Sequence, residues 1–395
     1  MIEPKLRFPE FNSNWTHDNL ENVAEIFDGT HQTPLYTKTG VQFVSVENIE
    51  DIYKSEKYIS HEEYDKYKSK PQINDILMTR ITAGVIGETA MVTKDVPLAY
   101  YVSLALIRCE KLFPSYVEKY IHSIQFRKEL YKRIIHTAFP KKINLGDIGK
   151  CLVGITNEQE QQKIAEFLST VDTVIAKQKE TISAWEERKK GVMQKLFSQE
   201  IRFKADNGSE FPEWQVHEIA ELIQLYNERV SSDCPLPILT SSKKNGIEYQ
   251  EEHFAGKQRH DVEGYNILPR NYCTYRNRSD GTDFTFNINN LCDKGIVSKF
   301  YPVFKEKDCN LFFLVSLLNN ERKTMRKIAY IAKGTGQKVL SITDLQSITV
   351  NIPSLAEQQK IADCLSSLDE VIEKQKATLA AWKELKKGLL QQMFV

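Results

Sequence analysis

The sequence predicts an α+β protein in which two globular domains alternate with two long helices forming an antiparallel coiled coil, a pseudo-twofold internal repeat. Three observations carry this prediction. EQQKIAEFLSTVD at 160–172 is written again as EQQKIADCLSSLD at 357–369. Over 160–198 an ungapped offset of 197 residues gives 23 identities in 39 positions, which marks an internal repeat. Ahead of each copy lies a β-rich stretch, 24–142 and 223–339, and the two hardly resemble each other. A chain of 395 residues also exceeds one ordinary core.

The helices follow from period. Ile164, Leu168, Val171, Ile175, Gln178, Ile182, Trp185, Lys189, Val192 and Leu196 keep an unbroken 4-3 spacing, the seam of a coiled coil. Ile361, Leu365, Leu368, Ile372, Gln375, Leu379, Trp382, Lys386, Leu389 and Met393 repeat it. Asn157 and Ser354 each stand three residues before a Glu, so both starts read as capping boxes with Glu160 and Glu357 at the third helical position. Two matching rods most simply pack on each other. In an antiparallel pair Gln178 and Gln375 approach near the middle, a polar layer able to fix register, unless both amides turn to solvent. The predicted division is a domain at 1–155, a helix at 156–199, a domain at 200–352 and a helix at 353–395.

Each domain is framed alike. LRFPEF at 6–11 is echoed by EFPEW at 210–214, and each leads to a Trp (Trp15, Trp214) with apolar residues beyond: Leu20 and Val23, Ile219 and Leu222. INLGDIGKCLVGI before the first helix matches LSITDLQSITVNI before the second, with Asp147 against Asp344, and both read as short strand-like elements. Inside, VQFVSVENI, DILMTRITAG and FTFNINNL read as strands. YVEKYIHSIQFRKELYKRII and CNLFFLVSLLNNERKTMRKIA each read as one longer helical stretch with a basic end.

Composition excludes several classes. No run of about 18 apolar residues suggests a membrane span, and MIEPKLRFPEF lacks the apolar stretch of a signal peptide. The seven cysteines form no C-x-x-C pair and read as reduced thiols, which points to the cytoplasm. Net charge is zero but unevenly spread. Residues 18–65 hold eleven acids and three bases, 101–150 ten bases and four acids, and 256–340 fifteen bases and eight acids. Two basic tracts fit two footprints on DNA, though solvated helices would give similar runs.

Candidate reading residues cluster at turns. Thr79, Arg80 and Thr82 in DILMTRITAG are matched by Arg276, Asn277 and Arg278 in NYCTYRNRSDG, with Arg80 set against Arg276 at an offset of 196. An Arg at a strand edge can grip guanine bidentately, or form a surface ion pair. HTAFPKK, with Lys141 and Lys142, aligns with KGTGQK, with Lys333, Thr335, Gln337 and Lys338. The glycines of the second allow close approach to a phosphate. His31, Gln32 and Thr33 occupy the polar loop DGTHQTPLYTKTG, with no ligand-spaced partner for a metal. No phosphate loop, dinucleotide fingerprint, nucleophile elbow, H-E-x-x-H or amino-methyltransferase Asn/Asp-Pro-Pro-aromatic motif occurs. These absences favour recognition over catalysis.

With these features in place, the chain resembles the specificity (S) subunit of Type I restriction–modification systems over nearly its full length. The resemblance rests on the paired helix starts TNEQEQQKIAEFLS and PSLAEQQKIADCLS, the DGTHQTP loop, the DIL-x-x-R strand and GTGQK. It implies a non-catalytic, DNA-binding subunit whose two target-recognition domains each read half of a split asymmetric target, with the helices setting the spacer. It also implies two docked methylation (M) subunits that carry S-adenosylmethionine and methylate adenine N6. Restriction (R) subunits using ATP and Mg join in the full complex, and this chain itself binds no cofactor. The first copy departs from the second in having Thr156-Asn157 for Pro353-Ser354, and its TAFPKK lacks the glycines of GTGQK. Two other readings fit the same residues: a methyltransferase or nuclease with a divergent site, and a coiled-coil protein scaffold.

Overall fold

A heptad seam must be covered by a second apolar seam, and this requirement organises the chain. The structure, a computed structural model, describes residues 3–231, 233–254 and 261–395. Lys257 and Arg259 of the second basic tract lie outside the described residues. The long helices run over Glu158–Phe197 and Leu355–Gln392. Every seam residue predicted for them is buried or half-buried, while most of the residues between are exposed.

The chain divides into two compact units, Met1–Glu180 with Lys376–Val395, and Thr181–Gln375. In the first, Ile164, Leu168 and Val171 share one core with Leu389, Leu390 and Met393. In the second, Leu196 and Phe197 share one with Ile361, Ala362 and Leu365. The start of one helix thus meets the end of the other in each unit, so the pair is antiparallel. The seam lysines are used as well. Lys386 pairs with Asp172 in the first unit and Lys189 with Asp369 in the second, both at 2.5 Å. Each pair is the other's image under the 197-residue repeat.

The helix starts differ from the predicted capping boxes. Asn157 does cap, its side-chain oxygen accepting the Glu160 N–H at 2.9 Å. Ser354 does not, and its buried hydroxyl oxygen has no partner among the described residues. Neither Glu reaches back to its cap. Glu160, fully buried, accepts two hydrogen bonds from Arg7 at 2.7 and 2.8 Å, and one from Thr156. Glu357, equally buried, accepts two from Arg202 at 3.1 and 2.8 Å. A carboxylate taken out of water needs a full counter-charge, and the forked guanidinium supplies it where a backbone N–H cannot. The matching residues are therefore Leu6-Arg7-Phe8 and Ile201-Arg202-Phe203, not the FPE echo. The next residue is shared too. Gln161 donates to Thr156 O at 2.6 Å and accepts from Phe113 N at 3.0 Å; Gln358 does the same with Pro353 O and Asn310 N, both at 2.9 Å.

Each unit builds one four-stranded antiparallel sheet. Its order in the first is Ala24–Asp28, Leu104–Cys109, Ile76–Thr79, Thr89–Met91; in the second, Ile223–Tyr226, Val303–Glu306, Cys273–Tyr275, Phe286–Ile288. Ile76 lies between Ile107 and Met91, and Cys273 lies between Phe304 and Ile288, all three offset by 197. The dissimilar stretches thus share a core. They diverge outside it. The first unit adds a three-stranded sheet of Tyr58–Ile59, Val41–Val44 and Leu98–Tyr100; the second adds two separate strand pairs.

Two element predictions are corrected. The basic stretches are each two helices: Pro114–Ile121 then Ile124–Arg133, and Leu311–Asn320 then Arg322–Ile331. Ser123 and Glu321 break them by capping the second helix with their own side chains. The strand-like elements are half helical, a short helix (Leu145–Gly149, Ile342–Gln346) preceding the strand (Leu152–Ile155, Thr349–Ile352).

The first unit also holds a charged network that the repeat does not keep, since Val315 and Ser316 stand in the second where Glu118 and Lys119 stand in the first. Lys119 bridges Glu118 at 2.7 Å and Asp172 of the long helix at 2.6 Å. Burial alone would raise the Glu118 carboxyl, but the hydrogen bond from His122 and the Lys119 ammonium bring it down to about 2. Because its folded value lies below its unfolded one, Glu118 stabilises the unit above ordinary carboxylate pH, and that contribution fades as pH falls toward 2. Glu118→Gln should therefore lower the melting temperature at pH 7 and do so progressively less below pH 4; an equal loss at both ends would remove the linkage. Arg7→Ala or Arg202→Ala should each cost about 3–5 kcal/mol in chemical denaturation by stranding a buried carboxylate. The double change Arg7→Met with Glu160→Leu should recover most of it, and a persistent full loss would contradict the clamp.

Candidate nucleic-acid interface

The strand that carries DILMTR leaves the central sheet at its third position and continues into a short two-stranded ribbon. Ile81–Thr82 pairs with Lys141–Lys142, placing Thr82 opposite Lys141 and Ile81 opposite Lys142. In the second unit Arg278–Ser279 pairs with Lys338–Val339, placing Ser279 opposite Lys338 and Arg278 opposite Val339. All four positions correspond at an offset of 197. The backbone behind each ribbon matches as well: Ile143 N donates to Arg80 O at 3.0 Å, and Leu340 N to Asn277 O at 2.9 Å.

This register corrects the pairing of Arg80 with Arg276. Arg80 corresponds to Asn277, and Arg276 to Thr79. It also corrects the role of Arg80. Only 7% of that residue is exposed, and its guanidinium donates to Val102 O at 2.9 Å, Ile143 O at 3.2 Å and the Asp28 carboxylate at 3.0 and 3.3 Å. Buried and holding these scaffold contacts, it ties the base of the ribbon to the first strand and is not presented to a base edge. Thr79 is buried beside it, donating to Val85 O at 2.8 Å.

The remaining candidates stay near the surface. Lys141 and Lys142 are exposed, and neither ammonium is paired among the described residues. Thr82 is half-buried and accepts from Gly84 N at 3.0 Å. His31, Gln32 and Thr33 are exposed, with the His31 imidazole 2.8 Å from Asp28, so one carboxylate serves both the loop and Arg80. Arg276 and Arg278 are exposed, Asn277 half-buried, and the Arg278 guanidinium lies 4.2 Å from the Phe300 ring centre.

In KGTGQK, Lys333 is exposed but paired with Asp344 at 3.0 Å, while Gln337 donates to Asp280 at 3.0 Å. Thr335 is exposed and Lys338 half-buried. Gly334 adopts positive φ, and a Cβ there would collide with the Gln337 carbonyl. Its glycine serves the turn itself rather than a phosphate. Arg276, Arg278 and Gln337 line an open cleft of about 440 Å³ with His253, Tyr265 and Phe300. Those last three come from separate segments with no shared spacing, so no sequence pattern announced them. Gln178 and Gln375 are half-buried on their helices. Among the described residues no group of three or more His, Cys, Asp or Glu is placed to hold a metal, and no helix is long and apolar enough to cross a membrane.

The family model described as the Type I restriction modification DNA specificity domain matches this chain twice, over residues 12–184 and 213–381. The chain belongs to this family. It is a specificity subunit, the non-catalytic DNA-recognition component of a type I restriction–modification enzyme. A chain named as the MjaX type I restriction enzyme specificity subunit of Methanocaldococcus jannaschii is 26% identical over 398 residues, spanning 93% of this specificity subunit and 90% of its own length. The MjaVIII specificity subunit of the same organism is 26% identical over 243 residues, 54% of either chain. The crystal structure of the type I S subunit from M. genitalium superposes with a TM-score of 0.57 at 14% identity, covering 100% of this chain and 99% of that one. A chain from a structure of type I system assembly and conformational transition gives 0.57 and 14%, covering 96% and 97%. At that identity the likeness speaks for the fold. The rival readings, a catalytic chain and a scaffold, give way to the specificity subunit.

Arg80→Ala should destabilise the first unit by about 1–3 kcal/mol, because the Val102 and Ile143 carbonyls and the partly exposed Asp28 lose their donor, and should leave base preference alone. Thermal melting beside a binding-site selection checks this; a relaxed target with unchanged stability would reinstate Arg80 as a reader.

Proposed function

We propose that each recognition domain reads one half of a bipartite, asymmetric duplex target, using its ribbon and the loops around it. The observation that carries this reading is the pair of ribbons: one backbone register repeated at 197 residues, presenting Thr82, Lys141 and Lys142 in one unit and Arg278, Ser279 and Lys338 in the other. Equal scaffolds with unequal side chains suit two different half-sites. A two-stranded ribbon fits the major groove, where each base pair shows a distinct pattern.

Within this reading His31, Gln32, Thr33, Thr335 and Gln337 line the approach to DNA, and Lys141, Lys142, Lys333 and Lys338 supply phosphate contacts. Gln178 and Gln375 act as polar seam residues that set helix register, and the helices fix the spacer between half-sites. Two methylation subunits dock on this frame and carry S-adenosylmethionine for adenine N6 methylation. Restriction subunits bring ATP and Mg, and the complex works in the cytoplasm without a cofactor on this chain.

Methylome sequencing of cells carrying this chain with its partner subunits should show a two-part motif with modified adenines in each part; a single continuous motif, or none, would overturn the reading. Arg278→Ala should relax one half-site only, by about 1–3 kcal/mol if the contact is bidentate. Uniform weakening across sequences would make Arg278 a phosphate contact instead.

A further inference from the structure

The loop that closes the first ribbon differs from its counterpart in one respect that the backbone does not require. Between the bridge partners Ile135 and Lys142 stand six residues, 136–141; between Lys333 and Val339 stand five, 334–338. The longer loop carries Phe139-Pro140 where the shorter carries Gly336 and Gln337. Phe139 is 92% exposed and joins none of the apolar clusters of the first unit. Its neighbours are nevertheless held. Ile135 N donates to Lys142 O at 2.8 Å, and the His136 ring lies 4.5 Å from that of Tyr131 while its Nε2 is 3.0 Å from Tyr131 O.

The loop is therefore an anchored presenter of one large apolar ring. The ring stands at the head of a short basic strand, since exposed Lys141 and Lys142 follow Phe139-Pro140 and Lys141 pairs with Thr82 across the ribbon. On that facing strand the chain runs into a turn whose Val85 is 60% exposed. An apolar tip beside two ammonium groups unpaired among the described residues matches a ligand with apolar faces and an anionic margin. Stacked base pairs between two phosphate chains have that form, and wedge side chains of this kind enter base steps in other DNA-binding proteins. An acidic protein surface would answer the lysines but not the ring.

We propose that Phe139 is a specificity wedge, pressed against the bases of the first half-site while Lys141 and Lys142 hold the flanking phosphates. This rests on the reading that the first ribbon faces DNA. The second ribbon, with Gly336 at the corresponding place, reads without a wedge, so the two half-sites are distorted unequally.

The test uses the complex with its methylation subunits and duplexes carrying the sequenced target, with 2-aminopurine at successive positions of each half. Apart from the target adenines, which the methylation subunits turn out of the stack in each half, wild-type complex should raise 2-aminopurine fluorescence at one step of the first half and at none of the second. Phe139→Ala should abolish that signal and weaken target binding roughly 10- to 100-fold, while Phe139→Trp keeps both. Lys141→Gln should weaken target and non-target duplexes alike and flatten the salt dependence. Phe139→Ala with unchanged affinity and signal overturns the proposal, as does an equal loss on non-target DNA. Loss of methylation-subunit binding by Phe139→Ala would move the ring to a protein interface and overturn it too. Failure of wild-type complex to bind any bipartite duplex would instead remove the DNA reading, and the wedge with it.

Discussion

The fold depends on a buried carboxylate in the first turn of each long helix. Glu160 and Glu357 have no access to water, so each helix can begin only where an arginine arrives to neutralise it. Arg7 and Arg202 do so from the segments that open each unit, and the adjacent glutamines tie the same turn to the end of a strand and to the chain entering Pro114–Ile121 or Leu311–Asn320. Three elements remote in sequence thus converge on two residues. The twice-written EQ is a structural joint, and its duplication reflects two identical joints to be made.

From these joints outward, constraint falls off in a consistent order. The seam keeps its spacing and most of its residues, with Val171, Ile182, Val192 and Leu196 exchanged for Leu368, Leu379, Leu389 and Met393. The central sheet keeps register but exchanges side chains: Ile76, Met78 and Ile107 in one unit become Cys273, Tyr275 and Phe304 in the other. An interior of this kind asks for filled volume rather than particular residues. The ribbons keep only backbone, and beyond them even strand number changes. The surface proposed for recognition sits where the scaffold constrains least.

That gradient also explains what was legible in the sequence. The repeat, the two rods and their direction could be read because a heptad period and near-identity are strong local signals. The shared sheet could not, since Ile and Cys, or Met and Tyr, satisfy one core site without resembling each other. Arg80 looked like a reader because an arginine at a strand edge has the same local sequence whether it faces solvent or a carboxylate. Its partner, Asp28, lies 52 residues earlier, and only tertiary structure joins them. The helix-start glutamates were misassigned for the same reason: the capping pattern was local, while Arg7 and Arg202 lie more than 150 residues away. Among the surface candidates, the lysines of the first ribbon were found by matching HTAFPKK to KGTGQK, whereas Phe300 and His253 carried no signal until the chain brought them together.

The seam ion pairs carry a consequence for misassembly. Suppose the helices slide by one heptad. In one direction Lys189 leaves Asp369 to face Lys376, and Lys386 leaves Asp172 to face Lys179, so two attractions become two repulsions. In the other direction the same lysines meet Ala362 and Ala165, both buried among apolar side chains, where an unpaired ammonium is costly. The seam behaves as a ratchet with a stop on either side. A coiled coil built only of leucine and isoleucine would permit the slip, and a ruler that slips cannot measure.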